Sequence, residues 1–346
     1  MSWKAQIQQV RDLGFNAVRL PFVPETPYSP LTIGGTLDTY VDPVLNGDVI
    51  GKTPLEFLDL WMAEADRRGL YVVLDFHSLS KGTLDPVWHV EDAAIYADGG
   101  TAPTYNFQSY TADNWIRDPV FVAARYAGNA HLVGVDLYNE PHDVVRWGPG
   151  EEAVYKVGND WKLAAENAAA ALLAANPKLL IFVHGIYVNN DGIEDSSPPI
   201  NYGENLQPES YRPLAIPDDK LVLFPHTYGP DALEGASKSL FDDANFPNNF
   251  ASGWETLFGR YQPVAPIVLG PTVIVGEFGS HYGSGVSGDK DRQWQDTLVD
   301  HLIGKDMRSA FYLVLYAKQR RHRRHPRRQP ERARRQDRDA AWFVGI

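Results

Sequence analysis

The chain has 346 residues, of which 44% are hydrophobic and 12% aromatic, and its formal net charge is −12. This length suits a single α/β barrel domain, and the excess of acidic groups argues against nucleic acid as the main partner. The sequence contains no cysteine, which excludes disulfide bonds and thiolate metal sites.

Apolar runs alternate along the chain with amphipathic stretches, which predicts strands alternating with helices. Helices are predicted over residues 4–13, from Pro54, over 115–127, over 160–175, from Trp254 and over 293–303. Seven strands are predicted, over residues 15–22, 70–77, 133–140, 179–184, 221–226, 272–279 and 309–316. The pattern predicts a (β/α)8 barrel whose chemistry lies at the carboxyl ends of its strands. An eighth strand is expected before the first helix. Because the sequence begins inside that helix, we expect that its start was placed too late and leaves this strand out.

Two of these strands end in a single glutamate. Residues 136–142 read DLYNEPH and residues 273–279 read VIVGEFG. A lone carboxylate at a strand end is commonly a solvated loop residue or a helix cap. Two of them in the same context, next to Gly or Pro, favour acid/base and nucleophilic chemistry on a glycosidic bond. The sequence therefore predicts Glu140 and Glu277 as a catalytic pair.

Five motifs in chain order carry a family resemblance: VRLPF, a histidine at a strand end, NEPHD, HTY and GEFG. They resemble glycoside hydrolase family 5, the retaining cellulases of the clan A barrels, and TPLE, DWKLAAENA and NPKLLIFVHGI resemble its endo-β-1,4-glucanase subfamily. The resemblance extends from the first helix to Tyr312 and implies a TIM barrel that needs no cofactor. No catalytic metal is expected either, because no set of histidines and carboxylates has metal-ligand spacing.

The resemblance also implies roles for individual residues. Glu140 matches the general acid/base and is expected to be protonated, whereas Glu277 matches the nucleophile and is expected to be ionised. Asn139 matches the residue that binds the sugar 2-hydroxyl, with an amide capping a strand end as the alternative. Arg19 matches the arginine that keeps the nucleophile ionised, with a purely structural ion pair as the alternative.

Five further residues are predicted to contact substrate. His226 and Tyr228 match the pair that follows the sixth family strand, where the histidine lines a subsite and the tyrosine binds the nucleophile. His77 matches the family histidine of the third strand. His142 and Trp88 are subsite candidates on weaker grounds, since a lone histidine or tryptophan is often structural.

The sequence departs from the family pattern after Tyr312. The family continues with a tryptophan, whereas Leu313 follows here, and residues 318–346 contain eleven Lys and Arg against three acids. One interpretation is a basic disordered tail. This segment can be encoded by codons that, read one base later, restore the tryptophan and a family-like NSGDTGG, so we predict a frameshift between Tyr312 and Leu313. The expected domains are a catalytic barrel over residues 1–316 and a non-native or disordered tail over residues 317–346.

The predicted function is that of a retaining endo-β-1,4-glucanase acting on a β-1,4-glucan polysaccharide or oligosaccharide. A β-mannanase or another β-glucanase of the same clan stays open, because loop residues set the choice of sugar, as does a catalytically impaired carbohydrate-binding barrel. No membrane partner is expected, since the sequence has no apolar run of eighteen residues. The resemblance implies an extracellular location, although residues 1–5 lack the apolar segment of a signal peptide.

Overall fold

The computed structural model describes residues 1–24, 41–79, 84–90, 110–149, 157–188, 201–233, 238–262, 270–314 and 342–345. Within these ranges the helices are α1 (Trp3–Asp12), α2 (Pro54–Arg67), α3 (Ala112–Arg125), α4 (Trp161–Ala175), α5 (Lys238–Phe241), α6 (Phe250–Leu257) and α7 (Asp289–Gly304). Among the described helices, none combines the length and apolar character that crossing a bilayer requires.

The strands are β1 (Ala17–Phe22), β2 (Tyr71–Phe76), β3 (Leu132–Asp136), β4 (Leu180–Val183), β5 (Leu221–Leu223), β6 (Thr272–Val273), β7 (Val275–Phe278), β8 (Ala310–Val314) and β9 (Trp342–Gly345). Each predicted strand has a counterpart among them, and the predicted strand over residues 272–279 is divided at Ile274. The strand that was predicted to end at Glu140 instead ends at Asp136, although the Leu137 N–H still donates to the Phe182 carbonyl oxygen and the Asn139 N–H to the Phe76 carbonyl oxygen.

The start of α2 illustrates how local sequence sets an element. Thr53 accepts a hydrogen bond from the Glu56 N–H through its hydroxyl, and the Glu56 carboxylate accepts one from the Thr53 N–H. This reciprocal capping satisfies two backbone donors that a helix start otherwise leaves unpaired. Pro54 occupies the first turn, where its missing N–H and fixed φ are favourable, which explains the predicted helix start.

The strands form a closed ring. Strands β1 to β6 pair in parallel with their neighbours in chain order, and β7 pairs in parallel with β8. β6 and β7 together occupy one strand position of the barrel, next to β5. The Ile274 N–H, between β6 and β7, donates to the Leu223 carbonyl oxygen of β5, and His226, which follows β5, pairs with Glu277 of β7.

The remaining gap, between β1 and β8, holds β9. This strand runs antiparallel to both neighbours, with Val344 opposite Val18 and opposite Tyr312. It occupies the position for which the sequence supplied no strand, and it comes from the segment that was expected to be a tail. Residues 315–341 and 346 lie outside the described residues, so the domain boundary at residue 316 stays a prediction.

Two apolar clusters support the rim. The larger cluster lies between the helices and the strands, and a smaller one fills the barrel interior with Val73, Phe182, Val222, Phe224 and Phe311. The Phe224 ring packs edge-on against Phe182 and Phe311, with ring centroids 4.9 and 5.5 Å apart. These rings form an apolar layer in the barrel interior, below the polar residues at the strand ends.

Candidate active site

Polar side chains from different strands meet at the carboxyl end of the barrel, as parallel strands require. The structure brings seven of the predicted site residues together there through direct or shared contacts: Arg19, His77, Asn139, Glu140, His226, Tyr228 and Glu277.

The two glutamates approach each other beside His226. A carboxylate oxygen of Glu140, one of Glu277 and a ring nitrogen of His226 all lie within 4.8 Å of one another. The His226 Nδ1 is 3.0 Å from Glu140 Oε1 and 3.6 Å from Glu277 Oε2. Retaining glycosidases hold their carboxyl groups about 5–5.5 Å apart, and inverting ones about 6.5–9.5 Å. The spacing is therefore suited to direct attack by one carboxylate.

Arg19 connects one of these carboxylates to a buried polar network. Its Nη1 donates to Glu277 Oε1 at 2.5 Å, its Nε donates to Asp136 Oδ2 at 2.7 Å, and its Nη2 donates to Asn139 Oδ1 at 2.9 Å. Asp75 Oδ1 lies 2.9 Å from the same Nη2. Burial alone lowers the pKa of Arg19, but Asp75, Asp136 and Glu277 outweigh that effect and raise it. The guanidinium thus stays charged.

Burial raises the pKa of Glu277 to about 8; Arg19 and the Tyr228 hydroxyl oppose the rise, and the charge of Glu140 adds to it. The carboxyl pair therefore retains a proton at neutral pH. This differs from the expectation that Glu277 is simply ionised, because the sequence does not reveal how strongly the group is desolvated. Burial also lowers the pKa of His226 well below its usual value, so that its ring is neutral.

Tyr228 contacts the same carboxylate from the other side. Its hydroxyl donates to Glu277 Oε2. Burial, with the nearby charges of Glu277 and Glu140, raises the pKa of Tyr228 well above its usual value. The hydroxyl therefore keeps its proton and remains a donor over the whole range in which the carboxyl pair titrates.

The two remaining histidines differ in how open they are. The His77 side chain is 29% exposed, with its Nδ1 2.7 Å from Asp75 Oδ2. His142 is buried, because Tyr202 stacks on its ring with centroids 4.0 Å apart and planes at 14°. Its Nδ1 lies 2.6 Å from the Glu140 carbonyl oxygen. His77 can face a ligand directly, whereas His142 supports the loop that carries Glu140.

The structure corrects the expectation that Trp88 lines a subsite. This side chain is 1% exposed, and its ring packs 5.5 Å from Trp115 and 5.1 Å from Trp161, measured between centroids. It belongs to the core between the helices and the strands. Trp88 lies in an irregular segment, where the sequence has no helical or strand periodicity that would distinguish a core position from a rim position.

Over residues 1–313 the sequence matches the family described as Cellulase (glycosyl hydrolase family 5). The chain belongs to glycosyl hydrolase family 5. This confirms the predicted (β/α)8 TIM barrel class, with which the mainly parallel strands and intervening helices agree.

Two curated relatives illustrate the similarity. The chain is 39% identical over 311 residues to the major extracellular endoglucanase of Xanthomonas campestris pv. campestris, covering 90% of this chain and 56% of the relative. It is 30% identical over 302 residues to an endoglucanase of Paenibacillus polymyxa, covering 86% of this chain and 65% of that enzyme. The chain thus spans between about half and two thirds of these family members.

Solved structures give the same result. The catalytic domain of the Xanthomonas campestris pv. campestris major endoglucanase has a TM-score of 0.73 at 37% identity, covering 90% of this chain and 78% of that one. A complex of a Pyrococcus horikoshii endocellulase with cellotetraose has a TM-score of 0.74 at 30% identity, with the same coverages.

Four polar or aromatic residues of this family 5 site were missed by the sequence reasoning: Asp75, Asp136, His184 and Tyr202. Asp75 and Asp136 lie in apolar strand runs and are fully buried. An acid in such a run is costly to bury unless it is paired, and this signal could have identified both as partners of Arg19. Nothing local marks His184 or Tyr202, whose contacts join distant segments.

The spacing of Glu140, His226 and Glu277 would also allow a cation to bridge them, which sequence spacing did not suggest. Arg19 donates to one oxygen of Glu277 and Tyr228 donates to the other. The oxygens that such a cation would need on Glu277 therefore already accept hydrogen bonds. The absence of a catalytic metal stays a prediction.

Proposed function

We propose that this chain is a retaining endo-β-1,4-glucanase that hydrolyses cellulose-type β-1,4-glucan chains. The observation that carries the proposal is the approach of the Glu140 and Glu277 carboxylate oxygens to within 4.8 Å, since only a retaining mechanism uses such close carboxyl groups. The endoglucanase relatives and the cellotetraose bound to the Pyrococcus horikoshii neighbour support a β-1,4-glucan as substrate.

In the first step Glu277 acts as the nucleophile. Its carboxylate attacks the anomeric carbon, the bond to the leaving oxygen breaks with its electron pair, and Glu140 gives its proton to that oxygen. Arg19 and Tyr228 both donate to Glu277, and donors stabilise the ionised form of a carboxyl group. They favour charge on Glu277 and oppose the burial that raises its pKa, and the first step requires the proton of the pair to lie on Glu140.

In the second step a water molecule attacks the anomeric carbon of the glycosyl-Glu277 ester. Glu140, now a carboxylate, accepts a proton from the water as the ester bond breaks. The free sugar end has the configuration of the substrate, and both carboxyl groups return to their starting states.

Neighbouring side chains would orient the sugar. A guanidinium can only donate, so the Arg19 contact to Asn139 Oδ1 leaves the amide NH2 group of Asn139 to donate to the sugar 2-hydroxyl. The neutral His226 ring lies against both carboxyl groups and would line the subsite of the reacting sugar. His77, partly open and tied to Asp75, would contact the same sugar at the rim.

The test compares the wild type with Glu140→Gln, Glu277→Gln and, as a control for the loss of one surface carboxylate, Asp300→Asn. Carboxymethyl-cellulose, mannan, lichenan and cello-oligosaccharides are the substrates, and proton NMR of early products reports the anomer released. We expect cleavage of carboxymethyl-cellulose with the β-anomer appearing first. Both glutamate variants should lose activity by a factor of about 10²–10⁴ or more, and Asp300→Asn should not.

Other results would redirect or refute the proposal. Initial release of the α-anomer, or hydrolysis that survives in both glutamate variants, would refute the retaining mechanism. Faster cleavage of mannan or lichenan would retain the mechanism and change the substrate. Binding of cello-oligosaccharides without hydrolysis would make the chain a carbohydrate-binding barrel.

The same proposal implies an extracellular setting. The Xanthomonas campestris relative is described as extracellular, and a polymeric glucan is accessible only outside the cell. A supporting result would be endoglucanase activity in the culture medium of the source organism that disappears when the gene is deleted.

A further inference from the structure

The backbone of Glu140 adopts a strained conformation. Its φ is 51°, in the left-handed region that costs a non-glycine residue about 1 kcal/mol or more and persists only where the surroundings hold it. The N–H of this residue donates to His184 Nδ1 at 3.1 Å. The contacts of His184 therefore bear directly on how the carboxyl of Glu140 is presented.

His184 follows β4 and is fully buried. Because a backbone N–H can only donate, Nδ1 must be the acceptor and Nε2 must carry the ring proton. The Nε2 lies 2.9 Å from Asp136 Oδ2, so this proton is donated to the aspartate. The buried carboxylate thus fixes both the tautomer and the orientation of the ring.

Asp136 also links the contacts of Glu140 to those of Glu277. The same Oδ2 that faces His184 accepts from Arg19 Nε at 2.7 Å, and Arg19 donates to Glu277. A continuous series of hydrogen bonds therefore runs from the side chain of Glu277 to the backbone of Glu140. The two carboxyl groups are held relative to one another by buried groups that are themselves fixed.

Gly203 covers the hydrogen bond between Glu140 and His184. Its own φ is 72°, and a Cβ at this position would lie 3.0 Å from His184 Nδ1 and 3.4 Å from Glu140 Cα. A side chain here would have to push the ring or the strained peptide aside. The loop backbone thus packs directly against the peptide that His184 holds.

We propose that His184 is a positioning residue for Glu140, an inference that rests on the proposed function. The ring holds the peptide plane of Glu140 in its left-handed conformation, and this conformation directs the carboxyl toward His226 and Glu277. Loss of the hydrogen bond would let the peptide relax and move the proton donor away from the leaving oxygen. A misplacement of about 1 Å can reduce the rate about 100-fold.

The experiment measures kcat/KM on two substrates that differ in their need for a proton donor. The leaving sugar of cellopentaose must be protonated, whereas the phenolate of 2,4-dinitrophenyl β-cellobioside departs unaided. The variants are His184→Phe, which keeps the bulk of the ring, and His184→Asn, which keeps an acceptor near Nδ1. His89→Phe is the matched control, since His89 is also buried and its Nε2 lies 2.6 Å from the Gly158 carbonyl oxygen.

We expect His184→Phe to lose about 100-fold on cellopentaose but only about threefold on the dinitrophenyl substrate, whose first step needs no acid. His184→Asn should recover at least about tenfold of the cellopentaose loss, in line with restoring one hydrogen bond. His89→Phe should change both substrates by the same factor. If His184→Phe fails to fold by circular dichroism, Gly203→Ala takes its place and should show the same selective loss.

Equal losses on the two substrates, or no loss on cellopentaose, would overturn the positioning role. Glu140→Gln, measured alongside, separates this outcome from failure of the proposed function. If Glu140→Gln retains cellopentaose hydrolysis, Glu140 is not the acid and both proposals fall. If Glu140→Gln is selectively inactive on cellopentaose while His184→Phe is not, only the role of His184 is refuted.

Discussion

Glu209 should make the protein less stable as the pH rises. This residue lies in the short 3₁₀ helix Gln207–Ser210, and its two carboxylate oxygens accept from the Leu214 N–H at 3.2 and 3.0 Å. Burial raises the pKa of Glu209 to about 8, with the Leu214 hydrogen bond opposing the rise. The folded chain therefore binds this proton more tightly than the unfolded chain, whose value is near 4.5.

The sign and size of the effect follow from this difference. The contribution of Glu209 is fully favourable below about pH 4.5 and is lost progressively as the pH rises to about 8. At about 1.4 kcal/mol per pH unit the loss is at most ~5 kcal/mol, and solvent around the loop should reduce it to about 2 kcal/mol. Glu209→Gln keeps an acceptor for the Leu214 N–H and removes the charge.

The assay is urea unfolding followed by tryptophan fluorescence at pH 5 and pH 8. We expect Glu209→Gln to have nearly the wild-type free energy of unfolding at pH 5 and to exceed it by about 2 kcal/mol at pH 8. Other titrating groups affect both proteins equally and cancel in the difference. A difference between the two proteins that does not change with pH would refute the reasoning, because it would mean that the Glu209 carboxyl titrates alike in both states.

Three further variants probe the site and its surroundings. Arg19→Met leaves three buried carboxylates without their shared cation and should lower the free energy of unfolding by about 3–5 kcal/mol, measured by the same urea assay; wild-type stability would contradict the network. Tyr228→Phe removes a donor that opposes the raised pKa of Glu277, so the acidic limb of the pH profile of kcat/KM should move to higher pH, and an unmoved limb would contradict that role. The Arg67 hydrogen bond lowers the pKa of Glu64 to about 2, against the opposing effect of burial. Glu64→Gln should therefore destabilise the chain above about pH 4.5, and this destabilisation should disappear as the pH falls toward 2. The trend is opposite to that of Glu209. Thermal melts at pH 3 and pH 7 check this sign.

The sequence predicted the positions of β1 to β8, because these strands lie in apolar runs that change character where they end, but it did not predict β9. It also predicted which side chains would meet, since Glu140 follows β3, Glu277 lies near the end of β7, and parallel strands share a rim. It did not predict the protonation of the pair. The raised pKa of Glu277 depends on burial at the dry barrel interior, which no local pattern reports.

Buried partners were predictable only in part. Arg19 in an apolar run requires a counter-charge, but the sequence does not say whether Asp75, Asp136 or Glu277 supplies it, and the structure uses all three. His184 and Trp88 show the limit more clearly. His184 lies at an ordinary strand end in the sequence, yet its side chain joins the buried network. Trp88 was predicted to line a subsite, yet it packs in the core. Tertiary contacts determine both positions, and the local sequence does not report them.

The last strand provides a direct test of two opposing expectations. If residues 317–346 are a frameshifted, non-native tail, removing residues 342–346 should not change stability. If β9 closes the barrel as its pairing with β1 and β8 indicates, the same deletion exposes two strand edges. Several backbone hydrogen bonds at about 1 kcal/mol each should then be lost, which corresponds to a fall of about 10 °C in Tm at roughly 2–4 °C per kcal/mol.

Calorimetry of the full chain, a chain ending at residue 341 and a frame-corrected chain would distinguish these expectations. Equal Tm values for the first two, with a higher value for the third, would favour the frameshift. A lower Tm for the shortened chain alone would show that an antiparallel segment can complete a barrel of otherwise parallel strands. Physically this is reasonable, because each edge strand needs donors and acceptors at the correct spacing, and either strand direction supplies them.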